Sequence, residues 1–159
     1  MEDSKMKFAG CIAILIMALL LLPAHAGGNT LVIKSVQNGD TIEFEGGFTA
    51  HLTGIKVPSP NTQVGYKAFD FTKRAVEGKR VQVFTYTTDN TAAGIVYGKD
   101  SLPFVQIKYG EGYSTSLNEL LLKKGYAKVN TKFLPEELEY FRDLESEAKR
   151  KGLGIWQRD

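Results

Sequence analysis

Beyond residue 30 the chain first alternates apolar and polar positions, then changes to a helical period. Leu31-Val32-Ile33-Lys34-Ser35-Val36 is β-branched and apolar and predicts a first strand. Asn38-Gly39 signals a tight turn, which puts Asp40 at the mouth of a hairpin. Residues 41–45 alternate as a half-buried second strand, Gly46-Gly47 turns the chain, and 48–52 form a third strand leading into Thr53-Gly54-Ile55. Pro58 and Pro60 then bracket a loop. From Tyr66, the residues Ala68, Phe69, Thr72, Ala75 and Val76 fall on one helical stripe, with Gly78 at its C-terminal end.

Alternation returns over 80–86, with Val81, Val83 and Thr85 on one face, and again over 102–109. The stretch 87–100 between them reads as a loop. A second helix spans 115–124, with Leu117, Leu120 and Leu121 inward and Gly125 closing it. A third opens at Pro135, with Glu136 and Glu137 near its positive dipole end. Leu138, Phe141, Leu144 and Ala148 face the core, and Gly152 ends the helix. The fold class is α+β, mainly β: a five-stranded OB-type barrel with three helices. A β-sandwich would not supply the helices, and a doubly wound fold would need strict strand–helix alternation.

The N-terminal segment has a different character. Lys5 and Lys7 precede an apolar run over 8–22, followed by Pro23 and the small-x-small tripeptide Ala24-His25-Ala26. That order describes a secretory signal peptide over residues 1–26, and the run is shorter than the roughly 20 residues of a transmembrane helix. An uncleaved N-terminal anchor is the alternative. Cleavage leaves one domain, 27–159, exported to a periplasmic or extracellular space. The only cysteine, Cys11, goes with the leader, so no disulfide staples the domain and its stability rests on the core. A net charge of +2 is too mild to specify a nucleic-acid partner by itself.

Several motifs follow one another in a telling order. They are Asn38-Gly39-Asp40-Thr41-Ile42, Leu52-x-Gly54-Ile55-x-x-Pro58, Gly65-x-x-Ala68, Gly78-Lys79-x-Val81-x-Val83 and Tyr97-Gly98. Leu117-Asn118-x-x-Leu121-x-x-x-Gly125-x-Ala127 and Glu147-Ala148…Gly152-Leu153-Gly154-Ile155-Trp156 complete the series. Together they resemble the staphylococcal nuclease (thermonuclease) family across about 31–156. The resemblance implies hydrolysis of DNA and RNA with one calcium ion. Two aspartates would hold the metal, a glutamate would activate water and two arginines would hold the phosphate.

Carried over residue by residue, most of that set is replaced. Asp40 matches the first aspartate. Lys56 stands at the second, Ser59 at the glutamate, His51 at the first arginine and Lys99 at the second. An ammonium at Lys56 either repels a cation, by about 4 kcal/mol at 4 Å and intermediate dielectric, and pairs with Asp40 instead, or extends to solvent. Ser59 has no basic lone pair to replace a carboxylate. His51 is either a base or cation of the site or a packed strand residue. Lys99 keeps charge without the planar fork of arginine. Asp40 is either a weak metal ligand or a turn-stabilising acid.

Phe69, Phe71, Tyr86 and Phe104 read as core residues rather than stacking platforms. No cofactor is expected, and calcium belongs only to the alternative in which a rearranged site still cleaves. The leading expectation is a pseudoenzyme-like module in which Lys56, Lys67, Lys99 and His51 surround Asp40 and bind single-stranded DNA or RNA, or another anion. The third reading is a protein-interaction domain. Mass spectrometry of exported protein should find Gly27 at the N-terminus; a full-length species retained in membranes would instead establish the anchor.

Overall fold

The structure is a computed structural model that describes residues 29–85, 102–131 and 138–157. The leader, Tyr86, the 87–98 loop, Lys99 and the Pro135 opening of the third helix lie outside the described residues.

The long strand β1 (Asn29–Asn38) organises the barrel. Its first half pairs antiparallel with β5 (Arg80–Thr85), from Asn29 opposite Val83 to Val32 opposite Arg80. Its second half pairs with β2 (Thr41–Phe44), with register shifts at 33/35 and 36/38 that bend the strand from one partner to the other. β3 (Thr49–Leu52) continues the meander beside β2, and β6 (Phe104–Tyr109) lies beside β5. A parallel seam between β3 and β6 closes the ring: His51 faces Phe104 and Leu52 faces Val105. The amide of His51 donates to the Pro103 carbonyl at 2.9 Å, and that of Thr53 to Val105 at 2.8 Å. The closed five-stranded barrel with its helices matches the expected OB-type architecture.

Ile33, Ile42, Phe44, Leu52, Val81, Val105 and Ile107 fill the interior. Each such side chain contributes roughly 1.5–3 kcal/mol by leaving water. Helix α1 (Gln63–Val76) lays Ala68, Thr72 and Val76 against the barrel. It begins earlier than its apolar stripe suggests, because the Thr62 hydroxyl caps it by accepting from the Gly65 amide at 3.0 Å. Helix α2 (Leu117–Lys123) buries Leu117, Leu121 and Leu122, whereas Leu120 is half-buried. Asn118, fully buried, accepts from the Ile107 amide at 3.2 Å and donates to the Thr53 carbonyl at 2.9 Å, latching α2 to the parallel seam. Helix α3 (Leu138–Arg150) packs Phe141, Leu144 and Ala148 inward, as its spacing predicts.

Short elements depart from expectation. Thr115-Ser116 forms β7, paired with β6, and Ser116 caps α2, so the helix begins at Leu117, two residues later than expected. β4 (Ile55–Lys56) pairs with β8 (Lys128–Val129) in a separate ribbon. Phe104 is buried, and Phe69 and Phe71 pack half-buried against the core, as read from the sequence.

Candidate functional site

The β1–β2 loop, Gly39-Asp40, is the centre of the site. An Asn-Gly hairpin ordinarily places its glycine at positive φ, but Gly39 is not among the glycines that adopt it here. Space is the constraint instead: a Cβ on Gly39 would stand 2.6 Å from Val57 Cγ1 and 3.1 Å from the Ala68 methyl. The turn is held by the Asn38 side chain, whose Oδ1 accepts from the Asp40 amide at 2.9 Å. From α1 the Thr72 hydroxyl donates to the Gly39 carbonyl at 3.1 Å, and from β3 the Leu52 amide donates to the Asp40 carbonyl at 2.8 Å. The loop is thereby fixed to strand and helix at once.

Both carboxylate oxygens of Asp40 have partners within the fold. Oδ2 accepts from the Val57 amide at 2.8 Å, and Oδ1 accepts from the Thr41 hydroxyl at 3.3 Å. Burial raises the Asp40 carboxyl above its ordinary value of 3.8. The Val57 amide, the charge of His51, the Thr41 hydroxyl and the charge of Lys56 pull the other way, in decreasing weight, without reversing it.

Thr41 carries the connection onward. It lies opposite His51 across β2 and β3, and its Oγ1 is 2.9 Å from His51 Nδ1. One hydroxyl hydrogen serves one acceptor, so when Thr41 donates to Asp40 the neutral His51 ring donates from Nδ1 and keeps its lone pair on Nε2. The His51 ring also packs on buried Phe104, centroid to centroid at 5.7 Å. Asp40, Thr41 and His51 therefore form one hydrogen-bonded row. Thr41 was not singled out from sequence; its signal is the hairpin register that Gly46-Gly47 imposes, which sets residue 41 opposite residue 51.

The other positions fall elsewhere. The expected Lys56–Asp40 ion pair does not form among the described residues. Ile55 and Val57 are buried and Lys56 is exposed, so strand alternation turns the ammonium outward and leaves the backbone amide of Val57 facing the carboxylate. Ser59 is exposed and serves the approach to α1. Its Oγ accepts from the Asn61 amide at 3.3 Å, and its carbonyl accepts from the Thr62 amide at 3.0 Å and the Thr62 hydroxyl at 2.8 Å. Gly65 permits this approach, since a Cβ there would fall 1.9 Å from the Ser59 carbonyl oxygen. Lys67 is not among the charges acting on Asp40; it lines a separate groove with Lys123 and Lys124. Lys99 lies outside the described residues.

A family model described as Staphylococcal nuclease homologue matches residues 49–158. The match starts at β3, so it includes His51, Lys56, Ser59, Lys67 and Lys99 and leaves Asp40 before its first residue. No curated protein matches the chain.

A raised folded-state value means that folded Asp40 holds its proton more tightly than the unfolded chain does. The stability this lends is complete below pH 3.8 and is lost as pH climbs through the folded value. Thermal melts of Asp40→Asn should therefore gain on wild type as pH rises through that window. A gap that closes with rising pH would mean that the surroundings favour the charged form.

Proposed function

The chain belongs to the staphylococcal nuclease homologue family, and from that premise we propose an exported nuclease-fold module that holds single-stranded nucleic acid without cutting it by calcium chemistry. The observation that carries this reading is the engagement of the Asp40 carboxylate by the Val57 amide and the Thr41 hydroxyl. Calcium takes six to eight oxygens, with affinity set by ligand charge. Asp40 would have to give up internal partners to serve, and the neighbouring positions offer Lys56, His51 and the loop residue Ser59. These residues do not fit the ion that the family resemblance implies.

What the same surface supports is contact with an anion. Lys56 projects to solvent from the strand next to the Asp40 loop, and His51 stands on the adjoining β3. Tyr66, in the first turn of α1, is 62% exposed, and an exposed ring is the platform on which an unpaired base stacks, at about 1–3 kcal/mol per base. The backbone of a strand would lie beside Lys56 and its bases against the ring.

A second reading, hydrolysis with His51 as the base, draws on its hydrogen bond to Thr41, which fixes the imidazole in the way a general base requires.

Fluorescence anisotropy with labelled oligo-dT, in calcium, manganese and chelator, separates these readings. The account expects binding that weakens steeply with salt, is indifferent to chelator, and leaves the oligonucleotide intact. Tyr66→Ala should weaken it about tenfold. Metal-dependent cleavage abolished by Asp40→Ala would establish a working nuclease. Cleavage in chelator that is lost in His51→Ala would establish the second reading. Absence of both binding and cleavage would leave a protein-interaction domain.

A further inference from the structure

On the surface formed by α1, the end of α2 and the closing 3-10 turn (Gly154–Trp156) lies a groove of about 420 Å³. It shares no residue with the Asp40, Thr41 and His51 row. Its lining includes Lys67 from α1, Lys123 and Lys124 from the end of α2, and Tyr126, Leu153 and Gln157.

The rim is fixed by backbone packing. Gly125 and Gly154 both adopt positive φ, at 67° and 58°. The Ile155 amide donates to the Gly125 carbonyl at 2.9 Å. A Cβ on Gly125 would sit 2.2 Å from the Leu153 carbonyl oxygen, and one on Gly154 would sit 2.1 Å from that of Gly125. The 3-10 turn is thus docked directly on the end of α2, and Leu153 and Gln157 are carried to the edge of the groove beside the lysines.

Among the described residues the charge is one-sided, and no carboxylate lines the groove. Lys123 pairs with Glu119 at 3.4 Å, outside the lining. Lys124 rests over the Phe71 ring at 5.1 Å, and neither Lys124 nor Lys67 has an acidic partner among the described residues. Their positive charge at the edge of a concave space favours an anion, and lysine suits a phosphate as a compact point charge. The lining also contains Tyr126 and Leu153, which bring apolar surface, and Gln157, an amide that can donate and accept. The volume lies in the range of small-molecule pockets.

The geometry points to a second site that takes the phosphomonoester of a nucleotide, with the base against Tyr126 and Leu153. The site stands on the groove itself and does not depend on what the Asp40 row binds. Two sources carry this chemistry: a free mononucleotide and the phosphorylated end of a strand.

Binding is read by isothermal titration calorimetry, which needs no reporter group inside the groove. Full-length protein is titrated with adenosine 5′-monophosphate, adenosine, 5′-phosphorylated oligo-dT and the same oligonucleotide without the phosphate. Saturable change with the phosphorylated probes and none with adenosine is the expected result. A response to the mononucleotide alone selects the free ligand, and a response to the phosphorylated strand alone selects the strand end. Lys67→Gln and Lys124→Gln should each weaken this response about tenfold while anisotropy binding of unphosphorylated oligo-dT persists. Lys67→Gln lies on an exposed helix face, which keeps the test sound if Lys124→Gln disturbs Phe71. Equal responses to both oligonucleotides, or no response to either phosphorylated probe by folded protein, would overturn the proposal.

Discussion

The hydrogen bond from the Val57 amide to the Asp40 carboxylate, 2.8 Å long, is the constraint around which this end of the barrel is arranged. It ties the β1–β2 loop to the segment after β4, and it forms only because Gly39 has no side chain to collide with Val57. The same loop is held by β3 through the Leu52 amide and by α1 through Thr72. A carboxylate taken from water costs several kcal/mol unless its oxygens find donors. Val57 and Thr41 supply them. The acid that the family resemblance assigns to a metal here ties the β1–β2 loop to the segment after β4.

Its electrostatic balance follows. Burial outweighs the amide, His51, Thr41 and Lys56, so the carboxyl is pushed towards its neutral form. Lys56 contributes least of these because the pleat aims it at solvent. The surface near Asp40 therefore presents an outward ammonium at Lys56 and an imidazole linked to the acid through Thr41. That arrangement supports the proposed contact with a phosphate backbone over one with a divalent cation. Around α1 the charge separates into two regions: Lys56 by the Asp40 loop, and Lys67 with Lys123 and Lys124 in their own groove.

The long elements were legible because their apolar periods are set by the core they build. Ile33, Ile42 and Phe44 alternate inward on β1 and β2, and Phe141, Leu144 and Ala148 recur at helical spacing on α3. The two-residue strands β4, β7 and β8 have too few positions to show a period. That brevity hid the outward aim of Lys56, since nothing local marked Ile55-Lys56-Val57 as pleated. Asn38-Gly39 announced a turn, but the need for glycine came from Val57 and Ala68, which are distant in sequence. Thr41 and the lysine groove were missed for the same reason: each depends on which residues the barrel brings together. The resemblance drew attention to these positions, and the three-dimensional arrangement shows where Asp40, His51, Lys56 and Ser59 sit.

We propose that Asp40 serves the fold and not a metal. Its carboxyl carbon can be titrated by NMR in calcium-free and in calcium-saturated buffer. The account predicts the same midpoint in both, above 3.8. A midpoint that drops when calcium is added would show the carboxylate acting as a ligand and would contradict it.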